Sequence, residues 1–132
     1  MSHILDSSAI FRSMKDRATD AIFEGCTLEL ARYELGNIVW KQHTLFKAID
    51  GEESLRLIRV IADILNTLEI LHAEGVEDRI LELAEEHSVT FYDASYLFHA
   101  RERGLPLVSE DKELIEKARK MGIKASTLSE AT

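Results

Sequence analysis

Apolar positions along this chain recur with two different periods, and their alternation predicts short strands separated by longer helices. His3-Ile4-Leu5 is a brief apolar run stopped by Asp6-Ser7-Ser8, which reads as a strand handing over to a helix start. Leu28 and Leu30 belong to a short strand or to the lead-in of a helix. From Ala31 to about Lys47, Leu35, Ile38, Val39, Gln42, Leu45, Phe46 and Ile49 recur near 3.6 residues, the mark of an amphipathic helix. Asp50-Gly51-Glu52-Glu53 resembles a capping box and opens a helix over about Glu52 to Leu68. A brief strand is predicted over Glu69–His72. Beyond it, Val76, Ile80, Leu83 and His87 share one helical face. Thr90-Phe91-Tyr92-Asp93 opens another helix that ends near Gly104. Leu105-Pro106-Leu107-Val108 is a strand with its proline tolerated at the start. Ser109-Glu110-Asp111 then opens a helix with Leu114, Ile115, Ala118 and Met121 facing inward, stopped by Gly122, and Ile123 to Thr127 forms a last strand.

This alternation predicts an α/β layered fold around a mainly parallel sheet. In such sheets ligands bind beyond the carboxyl ends of the strands. No linker, repeat or low-complexity tract interrupts the pattern, so residues 1–132 are expected to form a single domain.

Composition narrows the function classes. One cysteine, Cys26, excludes an internal disulfide framework and any multi-cysteine metal site. The apolar stretch Leu55–Leu71 is broken by Arg56, Arg59, Asp63, Asn66 and Glu69, so no membrane span is expected, and no secretory signal is legible at the N-terminus. A cytoplasmic location follows as an expectation. Asn37, Gln42 and Asn66 are the only side-chain amides, a bias seen in heat-adapted proteins. Lys and Arg number 16 against 24 Asp and Glu, a formal charge of −8, which disfavours broad electrostatic binding to polyanions.

Four acids stand in places that qualify this. Asp6 follows the first strand, and Asp111 lies where the late strand meets its helix. Asp93 falls in the first turn of its helix, and Glu34 near the start of another, with Asn37 and Lys41 along the same stripe. Each acid alone has a structural explanation as a helix cap, a first-turn carboxylate or a solvated residue. Together they come from both ends of the chain and point to one sheet edge. At about 5 Å apart, each pair repels by on the order of 3 kcal/mol at an effective dielectric near 20. Protonation or a divalent cation relieves that repulsion, and all-oxygen ligands select Mg²⁺ or Mn²⁺ over zinc. The implied chemistry is attack of cation-activated water on a phosphodiester.

Ile4-Leu5-Asp6-Ser7-Ser8-Ala9, Glu34-Leu35-Gly36-Asn37-Ile38-Val39-Trp40-Lys41, Tyr92-Asp93-Ala94-Ser95-Tyr96-Leu97 and Ser109-Glu110-Asp111-Lys112-Glu113-Leu114 resemble, in order, the four blocks of PIN-domain ribonucleases. The resemblance runs from Ile4 to about Ile123 and is greatest to the VapC toxins of prokaryotic toxin–antitoxin pairs. It implies a three-layer α/β/α sandwich, Mg²⁺ or Mn²⁺ dependence and endonucleolytic cleavage of RNA leaving 5′-phosphate and 3′-hydroxyl ends. It also implies a homodimer and a cognate VapB-type antitoxin. By the same resemblance Asp6, Glu34, Asp93 and Asp111 are the metal-binding and catalytic acids. Ser8 and Ser109 match the hydroxyls supporting them, and Asn37 matches the polar residue following the glutamate. Lys41 is the candidate phosphate contact, because it shares the stripe with Glu34.

Other features carry less. Leu57, Ile61, Ile64 and Leu68 form one apolar stripe of the third helix, and Leu55, Ile58, Ala62 and Leu65 a second, either buried or turned to a partner. The five histidines show no metal-ligand spacing, so surface or boundary positions are expected. Tyr92 and Tyr96 flank Asp93 as core residues or base-stacking rings. Two alternatives remain open: a catalytically silent PIN-like RNA-binding or assembly module, and a phosphoacceptor receiver domain. Four intact acids oppose the first. The second lacks its adjacent acidic pair after the first strand.

Overall fold

A computed structural model describes residues 3–131, with Phe23 and the side chain of Ala21 excepted. Strands β1 (Ile4–Leu5), β2 (Cys26–Leu28), β3 (Glu69–Leu71), β4 (Leu107–Val108) and β5 (Ala125–Ser126) form one five-stranded sheet in the order β3-β2-β1-β4-β5. Every pairing is parallel, with Ile4 beside Cys26 and Leu107, and Leu5 beside Val108. Helices α1 (Ser7–Lys15), α2 (Glu29–Trp40), α3 (Gly51–Thr67), α4 (Glu77–His87), α5 (Phe91–Arg103), α6 (Lys112–Lys120) and α7 (Leu128–Ala131) connect the strands or follow them.

The period-2 rule makes the two faces of the sheet visible in single strands. Ile4 and Leu107 enter one apolar cluster with Ile80 and Leu83 of α4, Leu97 and Phe98 of α5, and Leu114 and Ile115 of α6. Their neighbours Leu5 and Val108 point the other way. They join Ile10 of α1, Leu35 of α2, and Ile61 and Leu65 of α3. Helices therefore cover both faces, and the architecture is the expected α/β/α sandwich with an all-parallel sheet. Two-residue strands suffice because both faces are buried and each flanking helix supplies the area that the strand lacks.

Capping residues set the helix starts. Asp6, Asp50, Thr90 and Asp111 each accept a backbone N–H from the first turn of their own helix. Gly104 closes α5 at φ 64°, a left-handed position where glycine has no Cβ penalty. The expected strand–helix ambiguity near Leu28 resolves both ways, with Leu28 ending β2 and Leu30 lying inside α2.

Three expectations need correction. The helix expected over Ala31–Lys47 stops being α-helical at Trp40 and continues as a π-turn over Lys41–Leu45. Its wider turn, marked by the Phe46 N–H donating to Lys41 O at 2.9 Å, takes one extra residue and advances the apolar face by about 100°. Leu45 and Phe46 therefore emerge 55% and 63% exposed instead of joining the core. The two stripes of α3 do not separate into inward and outward faces either. Leu65 of the second stripe is buried with Ile61 and Ile64, and only Leu55 is openly exposed. Lastly, His99 is neither at the surface nor at its boundary. It lies in the all-buried middle of α5, its ring edge-on to Phe98 with centroids 5.4 Å apart, and its Nε2 has no hydrogen-bond partner.

Leu65→Ala should therefore cost about 2–5 kcal/mol of unfolding free energy, because it opens a cavity in the core. Leu55→Ala on the same helix should stay within about 0.5 kcal/mol. Urea denaturation followed by far-UV circular dichroism measures both, and similar costs for the two would contradict the corrected orientation of α3.

Candidate metal centre

Burying a carboxylate is costly unless hydrogen bonds replace its lost water, and Asp6 has such bonds on both oxygens. It leaves β1 at the centre of the sheet and caps α1, with 6% of its surface exposed. Oδ1 accepts from Ser8 Oγ at 2.6 Å and from the Ala9 N–H at 3.0 Å. Oδ2 accepts from Ser109 Oγ at 2.5 Å, across 103 residues of sequence. Ser109 follows β4, the strand paired with β1, so the parallel register brings the two chain segments together. The two serines also accept backbone donors from the β4–α6 loop, Ser8 from the Glu110 N–H at 2.8 Å and Ser109 from the Asp111 N–H at 2.9 Å.

Asp111 enters through that loop. Its Oδ1 accepts the N–H groups of Glu113 and Leu114, which seats it as the cap of α6 at the carboxyl end of β4. Asp93 lies in the first turn of α5, where the Thr90 hydroxyl takes its backbone N–H at 3.0 Å. The Asp93 side chain is partly buried and not consumed by the cap. Glu34 projects from α2 and accepts the Tyr96 hydroxyl on Oε1 at 2.8 Å. Ser7 also hydrogen-bonds to the Glu34 side chain.

Electrostatics ties the acids into one neighbourhood. Burial pushes the Asp6 carboxyl above the usual carboxylate range, and the charge of Asp111 adds to it against the pull of Ser109, Ser8 and Ala9. Burial likewise raises Glu34, with further upward pushes from Asp6 and Asp93 and an opposing pull from the Tyr96 hydroxyl. Asp93 is raised by burial, then by the charges of Asp111, Asp6 and Glu113. Tyr96 itself is pushed far up by burial and by the charge of Glu34, so its hydroxyl stays a donor.

Of the residues expected from sequence, Asp6, Ser8, Ser109 and Asp111 are joined by hydrogen bonds, and Glu34 and Asp93 reach the same neighbourhood through their charges. Asn37 and Lys41 are solvent-exposed along α2 and the turn after it, and neither enters this hydrogen-bond network. Two participants escaped sequence reasoning. Tyr96 was placed with core packing or base stacking, and it is buried, yet its hydroxyl is committed to Glu34. A legible signal existed: a tyrosine three residues after Asp93 on an inward face needs a partner for its O–H. Glu113, in the first turn of α6, adds a further negative charge that acts on Asp93.

The donor set is all oxygen and mutually repulsive, which suits a hard divalent cation. Among the described residues no three His, Cys, Asp or Glu side chains close around a single point.

Comparison with known proteins places the chain in a family. The family model described as PIN domain matches residues 3–120. The chain is 32% identical over 126 residues to a protein named Exonuclease VapC9 from Pyrobaculum aerophilum, covering 90% of this chain and 87% of that one. It is 31% identical over 126 residues to Ribonuclease VapC3 of the same organism, covering 89% and 95% respectively. The crystal structure of PAE2754, also from Pyrobaculum aerophilum, superposes with a TM-score of 0.77 at 29% identity, covering 95% of this chain and 83% of that one. A toxin–antitoxin complex from Klebsiella pneumoniae shares the fold, with a TM-score of 0.62 at 14% identity over 86% and 89% of the two chains. The chain belongs to the PIN-domain family, among its VapC-type members.

The raised carboxyls predict an unusual pH dependence. A group whose folded pKa lies above its unfolded value stabilises the fold below about pH 4, and that contribution is lost as pH rises through the folded value. With cations removed by a chelator, raising the pH from about 4 to neutrality should lower the melting temperature more in the wild type than in Asp6→Asn. Added Mg²⁺ should restore stability at the higher pH in the wild type. Parallel pH slopes for the two proteins in differential scanning fluorimetry would contradict it.

Proposed function

We propose that this protein is a Mg²⁺- or Mn²⁺-dependent endoribonuclease and the toxin component of a VapBC-type pair. The observation that supports the reading is the placing of Asp6, Glu34, Asp93 and Asp111 toward one edge of a PIN-type sheet, where burial and then neighbouring acidic charges push up the carboxyls of Asp6, Glu34 and Asp93. Asp6, Glu34, Asp93 and Asp111 would hold the cation, directly or through its retained waters. When bound, it supplies an activated water and a counter-charge for the scissile phosphate. The protein's own part is orientation. Ser8 and Ser109 occupy both Asp6 oxygens and hold that carboxylate in one rotamer. The cap bonds of Asp111 do the same at the end of β4. Exposed Lys41 is assigned a phosphate contact and Asn37 a supporting polar role on the same helix.

RNA as substrate is supported by the relative named Ribonuclease VapC3; the relative named Exonuclease VapC9 makes the mode of attack the open variable. A VapB-type antitoxin follows from membership among VapC-type proteins. No helix among the described residues is long and apolar enough to cross a membrane. The buried free thiol of Cys26 suits the reducing cytoplasm we assign.

Covalently closed single-stranded RNA tests mode and site together, because it offers no ends. With Mg²⁺ or Mn²⁺ present, the wild type should linearise it, and Asp6→Asn and Asp93→Asn should each lose at least about 100-fold, the upper end of what even an outer partner of a metal site costs. Cleavage of linear but not circular RNA would convert the assignment to exonuclease. No metal-dependent cleavage of either would favour the catalytically silent RNA-binding reading.

We also assign a homodimer. Trp40 at the end of α2, Leu45 and Phe46 beyond it, and Leu55 and Val60 of α3 leave five large apolar side chains about half exposed or more. Leu55→Glu and Phe46→Glu should shift the protein to monomer in sedimentation velocity without lowering its melting temperature by more than a few degrees. An unchanged sedimentation coefficient in both variants would remove the assignment. Leu65→Glu is unsuitable for this purpose, because Leu65 is in the core.

A further inference from the structure

Tyr96 occupies the inward face of α5 with 2% of its surface exposed, between the sheet and the acid cluster. A buried phenol needs an acceptor for its O–H, and backbone carbonyls at the strand ends are one source. Here the carbonyl of Leu5 is already taken by Thr27 Oγ1 at 2.6 Å. The Tyr96 hydroxyl goes instead to Glu34 Oε1 at 2.8 Å, across 62 residues of sequence and from a different layer of the sandwich. That is a charge-assisted bond of good length to a partly buried carboxylate. It occupies Oε1, and a hydrogen bond with Ser7 adds a second hold on the same carboxylate. It also anchors the end of a long, flexible side chain. Asp6 and Asp111 are short and are held by their own caps. Glu34 projects from the interior of α2 and has no cap to hold it.

We propose that Tyr96 is a positioning residue for the cation site, its hydroxyl bond to Oε1 fixing the orientation of the Glu34 carboxylate, which Ser7 also contacts. The inference rests on the metal-centre reading above and adds to it a residue that touches neither cation nor substrate. Small, strictly octahedral cations penalise a mobile ligand or water-orienting group, so loss of the hydroxyl acts on cation affinity. A merely structural role, satisfaction of a buried phenol, would act on folding stability alone.

Tyr96→Phe keeps the ring and removes the bond. Mn²⁺ binding followed by electron paramagnetic resonance, without substrate, should weaken by about 10–100-fold, the range for partners that orient metal ligands. In turnover assays the Mn²⁺ concentration for half-maximal rate should rise by a similar factor, with the rate at saturating Mn²⁺ within about threefold of wild type. In a Glu34→Ala background the same substitution should have no further effect on Mn²⁺ affinity, because the residue it positions is gone. Wild-type Mn²⁺ affinity in Tyr96→Phe would overturn the proposal, as would an equal loss in the Glu34→Ala background. If Tyr96→Phe fails to fold, the wild type provides the test. The ring resonances of Tyr96 should shift in its nuclear magnetic resonance spectrum on titration with Mg²⁺, and unmoved resonances would overturn the proposal. Failure of the wild type itself to bind Mn²⁺ would instead remove the metal-centre reading.

Discussion

The carboxylate of Asp6 sits where β1 ends, at the middle of a sheet too thin to shield it, and it survives there because hydrogen bonds from opposite ends of the chain meet on it. Ser8 and the Ala9 N–H come from the helix that Asp6 starts. Ser109 comes from the strand that closes the other side of the sheet centre. A carboxylate buried this far without donors would stay neutral or destabilise the fold. With three donors it becomes a joint between the first and last thirds of the protein. The β4–α6 loop is laid over that joint by the bonds from Glu110 and Asp111 to the two serines, which is how the second aspartate arrives beside the first. Placement of the acids thus depends on the parallel pairing of two very short strands.

Sequence patterning carried the architecture further than it carried the site. The switch from apolar runs of two or three residues to 3.6-periodic stretches predicts the strand and helix order, and parallel pairing follows from the helical connections. What patterning cannot register is a change of helical pitch. Lys41–Leu45 looks like a continuation of α2, because the residues that leave the core, Leu45 and Phe46, are as apolar as those that stay. Only the backbone bond from Phe46 to Lys41 reveals the slip. His99 escaped for a related reason. Its helix is buried on every side, so the usual argument from one apolar face and one polar face had nothing to grip.

At the site, the residues legible in the sequence were those whose position follows from local rules: acids at strand ends and helix caps. The residues that orient them were less so. Ser8 and Ser109 were readable through the resemblance, since a hydroxyl two residues from an aspartate is common in any helix start. Tyr96 was not, because its role depends on where α2 crosses α5, a tertiary fact with no sequence period. Asn37 and Lys41 show the converse. They share a stripe with Glu34 by spacing, yet in the fold they lie along the exposed side of α2 and beyond its end, outside the hydrogen-bond network. Helical spacing says which residues share a face and leaves undetermined how far along the axis a site extends.

The formal charge of −8 first argues against a polyanionic partner, and the fold changes what that charge means. Part of it is gathered at one sheet edge, where burial and then neighbouring acidic charges raise the carboxyls of Asp6, Glu34 and Asp93. Cations near the strand ends do little to offset it. Arg12 is paired with Asp16 at 2.8 Å and lies 4.0 Å from Glu110. A phosphodiester approaching the bare cluster meets mutual repulsion on both sides, and a divalent cation reverses the sign for both at once. Carboxylates brought together by the fold and a phosphate brought by the substrate would then share one counter-charge. Cation binding and substrate binding are on this account a single linked event, so RNA affinity should track cation occupancy of the site instead of the overall charge of the chain.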